Sequence, residues 1–167
     1  ILYRLYKNDV LIWPQIDGKS SLKLEHLSSA NRLVTGQSHE AIVDVAATVE
    51  LARRFFKKAK MWRYLEGYFD KETDAYRMAQ LPVGLQSASG DHNRGLMVSG
   101  EYGPDQNYQI PVISIGTSIP YPNQTLWLRM DLPQLLNTTA ESIAETTWVI
   151  RKRLGEPAIL LPFPRVS

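Results

Sequence analysis

A histidine and an aspartate five residues apart, His39 and Asp44, are the pair in this chain whose types and spacing could do chemistry. Imidazole accepts a proton near neutrality and a carboxylate holds a divalent cation, so together they suit attack of water on a phosphate. They stand in the run Ser38-His39-Glu40-Ala41-Ile42-Val43-Asp44. At about 100° per residue, their side chains leave a helix about 140° apart, not one turn above the other. A histidine in a first turn can lean over the helix end while Asp44 projects along the flank, and both then reach one cleft. The spacing alone is better explained by a solvated helix end or a structural hydrogen bond. Asp44 lies between Val43 and Val45, which predicts partial shielding and a demand for a cation or hydrogen-bond donors.

The element that must position the pair is a long helix. Ser38 is a suitable N-cap after Gly36-Gln37, and apolar residues recur at Ile42, Val45, Val49, Ala52 and Phe56, which predicts a helix from about His39 to Lys58 with that stripe buried. Upstream, Ile1 to Val10 suits a helix end, Trp13-Pro14 and Asp17-Gly18 mark a turn, and Lys23 to Asn31 reads as a short helix with Leu24 and Leu27 on one side. A further helical segment is expected from Met61 to Tyr68. Near Pro82 the character changes. Leu96 to Val98, Ile110 to Ile115 and Leu126 to Met130 have strand composition. A helix is expected from about Ala140 to Leu154, stopped by Gly155, and then a short returning strand from Ala158 to Leu161. These readings give an α+β chain with a boundary between residues 1–80 and 81–167, the second part built on a small twisted antiparallel sheet. A helix layer this apolar needs a covering layer, which in such a fold would be a sheet. The chain begins at Ile1, so the expectation is that a sheet-bearing N-terminal portion lies outside these 167 residues.

Composition narrows the chemistry. With 44% hydrophobic and 22% charged residues the chain reads as folded, not as a disordered tail. It contains no cysteine, which excludes disulfides, thiol nucleophiles and thiolate zinc sites, and three scattered histidines make a poor zinc set. No apolar run is long enough to suggest a membrane span. Residues 1–80 carry 13 Lys or Arg against 10 Asp or Glu, and residues 81–167 carry 6 against 7. In the basic part, Arg53, Arg54, Lys57, Lys58, Lys60 and Arg63 are interleaved with Phe55, Phe56, Trp62 and Tyr64. Cations in a last turn favour the helix dipole, while cations with rings between them also suit phosphates and stacked bases. Arg151-Lys152-Arg153 is a second cluster, which the solubility of a helix surface explains equally well. Tyr102, Tyr108 and Tyr121 read as exposed rings of irregular spacing, a weak basis for a protein-interaction surface.

Several segments, taken in order, resemble a known family. Leu24-Glu25-His26-Leu27 with Ala30-Asn31, His39 to Thr48, and Trp62-Arg63-Tyr64-Leu65 ahead of Asp70-Lys71 resemble the C-terminal helices of the ribonuclease H-like (DnaQ-like) exonuclease domain of bacterial exonuclease I. Val98-Ser99-Gly100-Glu101-Tyr102-Gly103 and Trp127-Leu128-Arg129-Met130-Asp131-Leu132 resemble that family's SH3-like α+β domain. The resemblance implies residues 1–80 as part of the exonuclease domain and 81–167 as the SH3-like domain. It implies a metal-dependent 3′→5′ exonuclease on single-stranded DNA, releasing 5′-mononucleotides, with Asp44 as a metal ligand and His39 as general base. It further implies two ions, Mg2+ or Mn2+, a basic DNA channel to which Arg53 to Arg63 and Arg151 to Arg153 contribute, and a monomeric cytoplasmic enzyme that can contact a single-strand-binding protein. The family's other acidic positions, an Asp-x-Glu pair and a further Asp, have no counterpart before His39. Asp70-Lys71-Glu72 has the spelling but follows the histidine, and reads as a surface coincidence. One or two carboxylates are a poor cradle for two dications, so the isolated chain is expected to be inactive. A non-catalytic module that binds single-stranded nucleic acid or acts as a scaffold remains the alternative.

Overall fold

The computed structural model describes residues 10–34 and 41–163. The chain divides into two compact units, the first comprising the described residues up to Glu66 with Gly103–Asn107, the second Gly67–Tyr102 and the described residues from Tyr108.

The first unit opens on a small hairpin of β1 (Gln15–Ile16) and β2 (Lys19–Ser20). Asp17 and Gly18 sit between them with φ of 51° and 76°. Positive φ at both central residues is the geometry for which Asp-Gly is favoured, so the expected turn is in fact a hairpin turn. Helix α1 (Leu24–Asn31) follows as read from the sequence and is closed by Arg32 in the left-handed region. Its last residue ties the helix to the preceding segment: the Asn31 amide donates to the carbonyls of Ile12 (2.7 Å) and Leu27 (2.9 Å) and accepts from the Ile12 N–H (2.7 Å). A nearly buried amide is thereby satisfied on both sides.

Helix α2 (Ala41–Phe56) and helix α3 (Ala59–Glu66) complete this unit. Ala47 and Phe55 of α2 enter a core with Leu11, Trp13, Leu27 and Leu33, where Trp13 and Phe55 stack with ring centroids 6.4 Å apart. The expected buried stripe is corrected here. Ile42 is 78% exposed and Val45 62%, and Val49 and Phe56 are exposed as well. Periodicity identifies an apolar face without saying what covers it, and among the described residues the neighbouring face of the helix does the packing.

In the second unit, a short 3-10 turn (Gly67–Phe69) leads into α4 (Lys71–Ala79). Asp70 is its N-cap and accepts from the Thr73 N–H at 2.8 Å. Hydrogen bonds from Thr73 hold the Asp70 carboxyl below the usual carboxylate range. Capping thus accounts for Asp70-Lys71-Glu72. Six antiparallel strands follow: β3 (Val83–Ser87), β4 (Gly90–Val98), β5 (Gln109–Thr117), β6 (Gln124–Arg129), β7 (Val149–Arg153) and β8 (Ile159–Leu161). Their order is β3-β4-β5-β6-β7, and β8 pairs the second half of β4. The three central strands and β8 lie where composition placed them, whereas β3 was not foreseen. Met97, Ile110, Val112, Trp127 and Leu160 form the core with Met78 and Leu81 from α4 and its exit. Gly95 permits that closeness, since a Cβ there would sit 3.0 Å from the Leu161 carbonyl and 3.2 Å from Leu81 Cδ1.

The helix expected from Ala140 to Leu154 is a second correction. Only α5 (Ile143–Thr146) is helical, and β7 takes over from Val149. The run Thr146-Thr147-Trp148-Val149-Ile150 is β-branched and aromatic, and pairing with β6 from Leu128↔Val149 to Gln124↔Arg153 gives its backbone a ladder.

Candidate functional site

Asp44 lies in the first turn of α2, half-buried, with the Thr48 hydroxyl donating to its backbone carbonyl at 2.8 Å. An acidic residue there complements the helix dipole in any protein. His39 lies outside the described residues, so its distance from Asp44 is not part of the geometry. The other two histidines have local partners: His26 Nδ1 is 2.7 Å from the Ser21 hydroxyl, and His92 Nδ1 is 2.8 Å from the Ser114 carbonyl. Among the described residues no group of three or more His, Asp or Glu side chains converges to hold a metal ion. Asp44 by itself does not fit a two-metal site.

The first basic cluster is presented to solvent. Arg53 at the end of α2, Lys57 and Lys58 in the link that follows, and Lys60 and Arg63 on α3 are exposed, and Arg54 is half-buried. Glu50 draws in two of them, with Arg54 Nε at 3.4 Å and Arg53 Nη1 at 3.9 Å. Arg63 Nε donates to the Ala59 carbonyl at 3.4 Å. The three lysines make no ion pair among the described residues. Of the interleaved rings, Phe55 is buried and therefore not available, while exposed Phe56 stacks on Trp62 at 4.4 Å and Tyr64 is exposed. The cluster can meet a phosphate chain beside two ring faces.

The second cluster is divided by strand geometry. Arg151 and Arg153 are exposed on one face of β7, and Lys152 points to the other, 2% exposed. Its ammonium donates to Asp74 Oδ2 (2.6 Å) and to the carbonyls of Arg153 (2.6 Å) and Glu156 (2.7 Å). All three donors are used, so Lys152 is a structural cation with no N–H left for the phosphate contact expected of it. Asp74 Oδ2 also accepts from the Gly155 N–H at 2.9 Å.

Sequence reasoning missed a pocket beside this face. A cavity of about 450 Å³ is lined by Tyr121, Gln124, Arg151, Arg153, Glu156 and Pro157. Of these, the sequence singles out only the two arginines for binding. The signal available was the alternation of β7, which needs the strand to be recognised first. Tyr108, expected to be exposed, is buried. Near the sheet's other end, Arg129 forms a two-point pair with Asp131 (Nε–Oδ1 2.6 Å, Nη2–Oδ2 2.9 Å) and lies over Trp148. That pair holds the Asp131 carboxyl below its ordinary range, while burial first and Glu101 second push the Tyr102 hydroxyl up to about 12.

These features define an α+β chain with several helices and two β-sheets, carrying exposed cations in both units. Its fold is that of a stretch of exonuclease I. It is similar to the moderately thermophilic exonuclease I of Methylocaldum szegediense with a TM-score of 0.71 and 22% identity, over 97% of this chain and 36% of that one. It is similar to E. coli exonuclease I in complex with a dT13 oligonucleotide with a TM-score of 0.70 and 21% identity, over 96% and 36%. A structure of SSB/exonuclease I with the inhibitor CFAM gives 0.70 and 20% over 96% and 35%. The chain thus spans about a third of the length of the solved chains it matches. No protein-family model and no curated protein matches the sequence. Among the described residues no helix is long and apolar enough to cross a membrane.

Proposed function

We propose that this chain is part of an exonuclease I-type enzyme, a metal-dependent 3′→5′ exonuclease that releases 5′-mononucleotides from single-stranded DNA. Residues 1–80 are read as the C-terminal helices of a ribonuclease H-like exonuclease domain and residues 81–167 as an SH3-like domain. The observation that carries this reading is the likeness in fold across 96–97% of the chain to exonuclease I, including structures of that enzyme with oligonucleotides. The exposed apolar face of α2 supports it, because a face bearing Ile42, Val45 and Val49 suits a helix that another layer covers in a larger protein. In the complete enzyme Asp44 ligates Mg2+ or Mn2+ and His39 is the general base. The family's Asp-x-Glu pair and further Asp have no counterpart before His39 in this sequence, so the chain alone is expected to be inactive on DNA. A single-strand-binding protein is the proposed partner, and the enzyme is proposed to be monomeric and cytoplasmic.

The test is release of mononucleotides from 3′-labelled single-stranded DNA by the complete gene product with magnesium. The proposal expects Asp44→Ala to slow release by more than about a hundredfold, the scale of losing a metal-held reaction centre. Unchanged release in that variant removes the role given to Asp44. A second reading, a non-catalytic single-strand-binding module, is favoured by the exposed lysines Lys57, Lys58 and Lys60. Salt-sensitive binding by the complete product without any cleavage distinguishes it.

A further inference from the structure

We infer that the pocket between the start of β6 and the end of β7 is a subsite for one nucleotide of a single strand, with Tyr121 as its stacking platform and Gln124 at the base edge. The inference rests on the nucleic-acid reading above and adds a location to it. Gln124 and Arg153 are directly opposite in the β6–β7 register, and Leu126 is opposite Arg151. Side chains of directly opposed residues share one face of the sheet, so Gln124 and Arg153 are neighbours there, and Arg151 lies two residues along on the same face. Tyr121 is brought close by a tight turn in which the Gln124 N–H donates to the Tyr121 carbonyl at 2.9 Å. These four line one cavity of about 450 Å³.

The buried amide is what points to a ligand. Gln124 is 7% exposed, and its Oε1 has no hydrogen-bond partner. Its backbone is already satisfied, by Tyr121 on one side and the Ser118 N–H on the other. A buried acceptor without a donor is uncommon and calls for one from outside. Phosphates and carboxylates cannot donate, whereas a base edge carries amino or imino N–H groups. An amide flip would exchange acceptor for donor, and a base edge offers both. Tyr121 is 53% exposed, which leaves a ring face for a base, and the two guanidiniums suit the flanking phosphates. Glu156 stands 3.8 Å from Arg153, an exposed pair that a phosphate can replace. An acidic peptide would use the arginines but has less need of the ring beside the amide.

The experiment is fluorescence anisotropy of a labelled 12-nucleotide single strand titrated with the complete gene product that contains this chain, in EDTA so that the strand stays intact, at several salt concentrations. Tyr121→Ala is expected to weaken binding by about tenfold, the scale of one lost base–aromatic stack, with Tyr121→Phe keeping most of the affinity. Arg151→Ala is expected to lower the slope of log K against log salt by about 0.7, one phosphate on a single strand. Circular dichroism confirms that each variant is folded. If the chain binds and both Tyr121→Ala and Arg151→Ala keep the original affinity and slope, the subsite is overturned while the nucleic-acid reading stands. If the chain fails to bind the oligonucleotide even at low salt, both fall. Tyr121-dependent binding of an acidic peptide that exceeds binding of the oligonucleotide overturns the nucleotide assignment.

Discussion

Two basic runs of similar composition meet opposite fates in the two units. From Arg53 to Arg63 the cations ride on two helices and on the two-residue link Lys57-Lys58 between them, and five of six are exposed. In Arg151-Lys152-Arg153 the run is a strand, whose period of two sends the middle residue into the core. Residue type is the same in both, so the difference comes from the backbone that carries it. A basic run can be counted as a binding surface only after its secondary structure is known.

The largest test of that contrast sets Lys152 against Lys60. Lys152→Met strands the Asp74 carboxylate in the core, and breaking a buried pair in this way is expected to cost about 3–5 kcal/mol of unfolding free energy in urea denaturation. Adding Asp74→Leu should recover much of it, because replacing both charges by apolar groups is often neutral. Lys60→Met is expected to change stability by less than about 0.5 kcal/mol. Similar losses in the two single variants would erase the distinction.

One step down, close sheet packing is probed at Gly95. Gly95→Ala adds a methyl group against the Leu161 carbonyl and Leu81, and overpacking of this kind is expected to cost about 1–3 kcal/mol. A smaller effect should appear in the pH dependence of the second unit. Asp131 has a lowered folded pKa, so its pair with Arg129 contributes stability above the ordinary value of about 3.9 and loses it as pH falls through the folded value. The destabilisation caused by Asp131→Asn at pH 6 should therefore shrink in more acid solution. Tyr102 has the opposite sign. Its hydroxyl is raised to about 12, so the stability it contributes is intact below about pH 10 and is lost as pH rises between those values. Absorbance of tyrosinate in Tyr102→Phe against the original chain reads that window.

Much of the architecture was legible. Helix α1, the body of α2, the three central strands and β8 follow from periodicity, β-branching and turn residues. The failures share a cause, which is that local pattern does not report a partner. Trp148-Val149-Ile150 is compatible with a helix until β6 supplies a ladder, and with the strand missed, the burial of Lys152 and the pocket beside Gln124 were out of reach. The stripe from Ile42 to Phe56 announced an apolar face correctly and its burial wrongly for the described residues, because the packing uses Ala47 and Phe55 instead. At the candidate site, Asp44 is half-shielded as its valine neighbours imply, while the structure sets it in the first turn of α2, where the sequence reading puts His39 and leaves Asp44 on the flank.

The most direct test of the account is the salt dependence of single-stranded DNA binding by this chain, with and without the exposed lysines of the first unit. The account predicts salt-sensitive binding whose slope of log K against log salt falls by about two when Lys57, Lys58 and Lys60 are all changed to Ala. An unchanged slope in that triple variant, or no binding at low salt, would contradict it.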